Sequence, residues 1–330
     1  MTLALVLLAT ARAAEPVPDE AAPPLDRPLR LRLLAPFASP RNSSLYSGFG
    51  LPPLREAASP GEGVLTGRWR GSMTHTADSG RGNGRRHRMD GLYTEHSRFD
   101  LSLAVHERLL VWADLRFAGW DERRDVFRIY GRDDDLPVLE GEAAKLTQGR
   151  ATGRHENLAQ AAFGALVTWW QADDGVTALG TSVLLKLPAF RRADLTNSGT
   201  FDAAFTAHGS LLLLEGVALH GQVGVVLPVG YPSVFEVPSA FRVEPFLQGA
   251  LGLTWAPTDW LALGLSFEAA QSPWTRQVEF LDRPAFTLSG GVRLRLGRFL
   301  LELGAGAGLT SGSADWLAWL ELGYASPPLW

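Results

Sequence analysis

From Pro284 to Leu309 the chain changes chemical side at every residue. Phe286, Leu288, Gly290, Val292, Leu294 and Leu296 alternate with Ala285, Thr287, Ser289, Gly291, Arg293 and Arg295. After Gly297-Arg298 the pattern resumes, with Phe299, Leu301 and Leu303 set against Leu300, Glu302 and Gly304. A period of two is the period of a β-strand with one apolar and one polar face. Alternation alone leaves open which face is inside, because a soluble sandwich and a membrane barrel carry the same stripe with opposite meanings.

Strand length decides between them. Alternating stretches occupy 63–77, 88–103, 108–119, 157–172, 176–190, 201–214, 217–230, 241–256, 260–271, 284–296, 299–310 and 315–325. Most run well beyond the usual soluble strand of about five or six residues. Crossing a bilayer at a tilt takes about 9–11. The connections also alternate. Short ones such as Asp173-Asp174-Gly175, Glu215-Gly216, "APTD" and Gly297-Arg298 are interleaved with long ones holding "SGRGNGRRHR", residues 120–156, "RRADLTNSG", "YPSVFEVPSA" and "SPWTRQVEFLDR". Short turns on one rim and long loops on the other mark an outer-membrane barrel. Trp120, Trp255, Trp260, Trp274 and Trp316 stand at stretch ends, where interfacial aromatics belong, and so do Trp169 and Trp170, although adjacent strand residues face opposite ways. The greasy set therefore faces lipid and the wet set a lumen.

Composition excludes other classes. With 46% hydrophobic and 20% charged residues and a net charge of −4, the chain is neither disordered nor basic enough for nucleic acid. It has no cysteine, as suits an exported bacterial protein that avoids oxidative mispairing. Leu3–Ala9 is an apolar core followed by Ala11 and Ala13 of an A-x-A site, so residues 1–13 read as a signal peptide, truncated because a basic start is missing. Residues 14–62 are Pro-rich and irregular, and residues 63–330 form the barrel. Export makes ATP-driven mechanisms unsuitable.

Parity assigns the lumen. Arg98, Asp100, Asp114, Arg116, Lys186, Asp202, His208, His220, Glu244, Glu268, Arg293, Arg295, Glu302 and Glu321 fall on the wet set and form a charged network. Ion pairing across a narrow barrel accounts for both signs, since buried charges need partners. The same residues also suit a polar path for a solute. Ser210, His208 and His220 share the interior without a G-x-S-x-G elbow, so no catalytic set is assigned and the chain is not read as an enzyme. His87 and His96 are too isolated for a metal site, and no cofactor is implied.

Residues 36–57, "PFASPRNSSLYSGFGLPPLREA", resemble a bacterial outer-membrane family known as domain of unknown function 3187. Arg41, Asn42, Gly50, Leu51 and Pro52 match its "RNQNP" and "fGLP" segments, although Ser43-Ser44-Leu45 departs from them. "MDGLYTEHSRFDLSLAVHERLLVWADLRFAGW" looks like the family's hairpin, with Leu92 where the family has an acidic residue. Phe37, Leu45, Tyr46, Phe49, Leu51 and Leu54 are too apolar for a free tail, so the segment is expected to plug the barrel from the periplasmic mouth. Arg41 is expected to pair with one or more of Asp100, Asp114, Glu244, Glu268, Glu302 and Glu321.

The sequence thus predicts an all-β chain, an antiparallel up-and-down transmembrane barrel of about 12 strands with an irregular N-terminal plug. Passage or binding of a small amphiphilic solute is the expected function. A closed envelope-maintenance barrel is the alternative, and a lipid-modifying barrel enzyme comes third. Expected partners are outer-membrane lipid, lipopolysaccharide beside the Arg-rich first loop, and the barrel-assembly machinery, which reads an aromatic chain end.

Overall fold

Alternation over these stretches becomes a closed sheet in the computed structural model, which describes residues 32–37, 51–82, 85–121, 126–130, 154–187, 200–229, 243–273, 283–310 and 312–329. The strands are β1 (Val64–Gly82), β2 (Arg85–His106), β3 (Leu109–Asp121), β4 (Val126–Tyr130), β5 (Arg154–Gln171), β6 (Ala178–Leu187) and β7 (Phe201–Leu214). There follow β8 (Val217–Val229), β9 (Phe246–Thr258), β10 (Leu261–Ala270), β11 (Ala285–Leu296), β12 (Phe299–Gly308) and β13 (Trp316–Pro328). Each barrel strand pairs antiparallel with its neighbour in sequence, and β3 pairs with β5. β1 pairs with both β2 and β13 and closes the ring of twelve. Closure leaves no unpaired backbone edge in hydrocarbon, which no open sheet achieves.

The faces divide by parity. On β6 burial alternates strictly: Leu179, Val183 and Leu185 are exposed outward, while Ser182, Leu184 and Lys186 are buried inward. The exposed set includes Phe163, Leu251, Leu265 and Leu303 on other strands. An apolar surface of this extent is stable only against lipid. Among the described residues no helix is long and apolar enough to cross a membrane.

The structure departs from the sequence expectation in three places. The sequence pattern makes "SGRGNGRRHR" a connecting loop. Instead β1 and β2 continue through it in register, with Ser79 opposite Arg88 and Gly82 opposite Arg85. Strand pairing gives this glycine-rich backbone partners that a loop leaves to water. The long stretch 120–156 likewise contains β4, whose Val126–Tyr130 pair with Asp90–Arg86 of β2. Lastly, Trp169 and Trp170 both face outward, because a bulge between Thr168 and Trp170 rotates one residue across the sheet.

The rim of short turns carries its own devices. Gly216 (φ 76°) and Gly297 (φ 65°) take the left-handed conformation that tight turns require. Trp255 and Trp260 flank one turn and are exposed, as interfacial aromatics should be. Pro327 and Pro328 cannot donate to the ladder, yet β13 includes them. A bulge between Val64 and Thr66 accommodates the prolines, and Leu65 N–H donates to Ser326 Oγ instead (3.0 Å). Residues 1–13 and Trp274 lie outside the described residues.

The parity assignment has a direct test. Leu265 lies mid-strand on the outer face, 51% exposed. Leu265→Arg should cost about 2–4 kcal/mol in an unfolding equilibrium from lipid vesicles. Unchanged stability would mean that this face does not meet lipid.

Candidate functional site

Wherever the inner face carries a charge, the neighbouring strand tends to carry its opposite. Arg98 Nε donates to Asp114 Oδ1 (2.9 Å), with Nη2 on the other oxygen. Arg70 holds Glu321 through Nε (2.9 Å) and Nη2. Arg293 Nε donates to Glu302 Oε2 (3.0 Å), while Trp319 Nε1 donates to Oε1 (2.7 Å). Lys186 Nζ, fully buried, donates to Asp202 Oδ2 (3.0 Å) and to Thr200 O (3.1 Å). His208 Nε2 lies 2.7 Å from Ser182 Oγ. Charges withdrawn from water are costly unless paired in this way.

The remaining sequence-assigned residues are placed differently. Arg116 and Glu268 are buried on β3 and β10. Arg295 sits toward the short-turn rim, where Nε donates to Asp259 O (2.6 Å). Glu244 is not a lumen residue. It is exposed before β9 begins, so strand parity does not reach it, and its N–H donates to Pro273 O (2.9 Å).

The centre of the lumen holds the chain's own N-terminal region. Residues 32–37 and 51–60 are almost entirely buried, and side chains of the wall bind their backbone. Arg293 Nη1 donates to the carbonyls of Arg32 (2.9 Å), Leu33 (3.0 Å) and Ala35 (2.7 Å). Thr254 Oγ1 donates to Ala35 O (3.1 Å), Gln222 Nε2 to Pro52 O (3.2 Å) and Thr168 Oγ1 to Ala57 O (2.8 Å). Irregular backbone lacks a ladder of its own, so these side chains replace one.

Ser210 and His220 link the two stretches. Ala57 N–H donates to Ser210 Oγ (3.0 Å), Ser210 Oγ lies 2.9 Å from His220 Nδ1, and His220 Nε2 lies 2.7 Å from Leu34 O. A carbonyl only accepts, so Nε2 carries the proton and Nδ1 accepts from the serine. The pair resembles a nucleophile and its base, but a backbone carbonyl occupies the position where a triad places its acid.

Ion pairs and sockets complete the contact. Arg55 pairs with Asp100 and stacks on Trp112, 4.4 Å from the ring centroid. Arg293 similarly covers Phe37 at 4.3 Å. Burial alone would push the Glu56 carboxyl up, but the Arg68 guanidinium 3.6 Å away holds it below the ordinary carboxylate value. Inward glycines make the room. A Cβ at Gly264 would collide with the Phe37 ring, one at Gly252 would lie 2.8 Å from Leu54, and one at Gly323 would collide with Arg32. Gly164 and Gly304, opposite Trp112 and Trp319 in register, give those indoles space in the same way.

Leu51 and Pro52 of the expected plug are therefore in the lumen, while Arg41, Asn42 and Gly50 lie outside the described residues. The partners expected for Arg41 are largely taken. Asp100 is held by Arg55, Asp114 by Arg98, Glu302 by Arg293 and Glu321 by Arg70. Sequence reasoning missed Arg55, Arg70, Trp112 and Trp319. Arg70 alternates with outward Trp69, Trp112 shares parity with Asp114 and Trp319 with Glu321, so the wet set already contained three of the four.

A closed antiparallel barrel with an apolar outside and a charged, occupied lumen is a transmembrane barrel of the outer-membrane type. No protein-family model matches the sequence, and no curated protein matches it either. The resemblance of residues 36–57 to domain of unknown function 3187 is thus unsupported by a family model. Among solved structures, the chain is similar to an outer-membrane channel from Pseudomonas putida F1. The TM-score is 0.55 at 14% identity, covering 84% of this chain and 98% of that one. The KdgM porin gives 0.43 at 6% identity, covering 78% and 98%. The CymD monoaromatic hydrocarbon channel gives 0.43 at 13% identity, covering 81% and 88%.

The sockets predict how the inserted segment can be dislodged. Gly264→Val should displace Phe37 and expose residues 32–37 to added protease while the barrel still migrates as a folded, heat-modifiable species. An N-terminal segment as resistant as in the parent would show that Phe37 does not occupy this socket.

Proposed function

We propose that the chain is an outer-membrane channel for small amphiphilic solutes, closed in this state by an N-terminal plug. The observation that carries this reading is what fills the lumen. Barrels of about eight strands are filled by their own side chains, and wider ones enclose space. Here that space is taken by residues 32–37 and 51–60, a segment outside the strands, whose backbone is bound by wall side chains. Such a plug can leave without breaking a strand pair. The wall it would expose is polar and charged, which suits a water-filled path, while Trp112, Leu166 and Leu184 add apolar contact.

One observation favours a closed structural barrel instead. The cavity bounded by Pro53, Leu54, Arg55, Arg68, Arg70, Arg98, Asp100 and Glu321 measures about 20 Å³, room for a water and no solute. Conductance in planar bilayers separates the two readings. The full chain should give brief, small steps, and removal of residues 32–57 should turn them into steady, larger ones. A silent full chain with a conducting deletion would favour the closed barrel. A silent deletion that still folds would exclude passage.

A further inference from the structure

One arginine on the wall breaks the pairing rule. Arg116 is only 7% exposed, yet its Nε and Nη2 find no hydrogen-bond partner. These two atoms form one edge of the guanidinium fork. Arg98, Arg70 and Arg293 each hold their carboxylate by that same edge. Arg116 thus presents, buried, the edge by which its neighbours hold their carboxylates.

Charge counting on the wall agrees. Arg98 and Arg116 stand directly opposite each other across β2 and β3, an unfavourable placement for like charges. Of the nearby carboxylates, Asp114 is held by Arg98 and Asp100 by Arg55. Among the described residues, one positive charge is left over. His96 lies diagonally across the same strand pair, one inward step further along β2, and is 4% exposed with neither ring nitrogen bonded. Water would satisfy these donors but not the charge. Leaving a buried charge without a counter-charge is costly.

We propose that Arg116 and His96 form a binding site for a small monocarboxylate anion, with the Arg116 fork on both carboxylate oxygens and a His96 N–H beside it. The site lies one inward step beyond Asp114, on the long-loop side of Trp112, where Arg55 of the N-terminal region stacks. Trp112, whose own indole N–H is unpaired, lies beyond the site on the side of the N-terminal region. A solute entering from the loop side meets this site before the plug. The proposal rests on the passage reading only for how its ligand arrives.

Calorimetric titration of the full chain in micelles, in a carboxylate-free buffer, tests it with benzoate and acetate as probes and benzyl alcohol as the uncharged control. Benzoate should bind saturably at one site per barrel, and benzyl alcohol should not compete. Arg116→Gln should weaken benzoate by about tenfold or more, the loss expected for charged hydrogen bonds. Arg116→Lys, which keeps the charge but not the fork, should fall between. The unliganded Arg116→Gln barrel should melt no lower than the parent, because the change removes an unpaired charge. Undiminished benzoate binding in Arg116→Gln, absence of saturable binding to the folded parent, or a variant that melts well below the parent or fails to fold would each overturn the site. A barrel that conducts but binds no benzoate would leave passage standing without the site. Bound benzoate in a barrel that never conducts, with or without residues 32–57, would leave the site standing without passage.

Discussion

Twelve strands enclose more room than their inward side chains fill, and the rest of this structure follows from how that space is closed. The outside needs only apolar residues at alternate positions. The inside must satisfy backbone, charge and volume together, in a space that lipid does not reach. This chain fills it with its own N-terminal region, and the wall is adapted to that guest. Arg293 is the clearest case: one guanidinium holds Glu302, caps the carbonyls of residues 32, 33 and 35, and stacks on Phe37.

The wall is adapted by subtraction as well. Glycine weakens a strand, so its presence at inward positions needs a reason. At Gly264, Gly252 and Gly323 the reason is a side chain of the N-terminal region, and at Gly164 and Gly304 it is an indole on the next strand. These glycines thus serve the lumen rather than turns. The polar groups serve the same purpose. Ser210 and His220, which a search for chemistry would single out, tie two stretches of the N-terminal region together.

The barrel was legible in the sequence because its signal is local. Period two, strand length and the alternation of short and long connections each need only neighbouring residues. Where a second element intervenes, the same reading failed. The extension of β1 and β2 through "SGRGNGRRHR" depends on pairing across the hairpin, and a bulge at Thr168 turns Trp169 and Trp170 the same way. Parity put most of the charged network on the inner face but could not name its pairs, because those depend on shear between strands. Arg55 was missed because it belongs to no strand, and Arg41, named for the plug on the apolar character of its segment and its planar fork, lies outside the described residues.

The central claim is that residues 51–60 lie inside the barrel against β7. The chain has no cysteine, so a designed pair has no competitor. Ala57 N lies 3.0 Å from Ser210 Oγ. The double variant Ala57→Cys with Ser210→Cys should form an intramolecular disulfide on mild oxidation, seen by mass spectrometry as the loss of two hydrogens from the folded barrel. Two thiols that stay free and react with maleimide under the same conditions would place the segment outside the lumen.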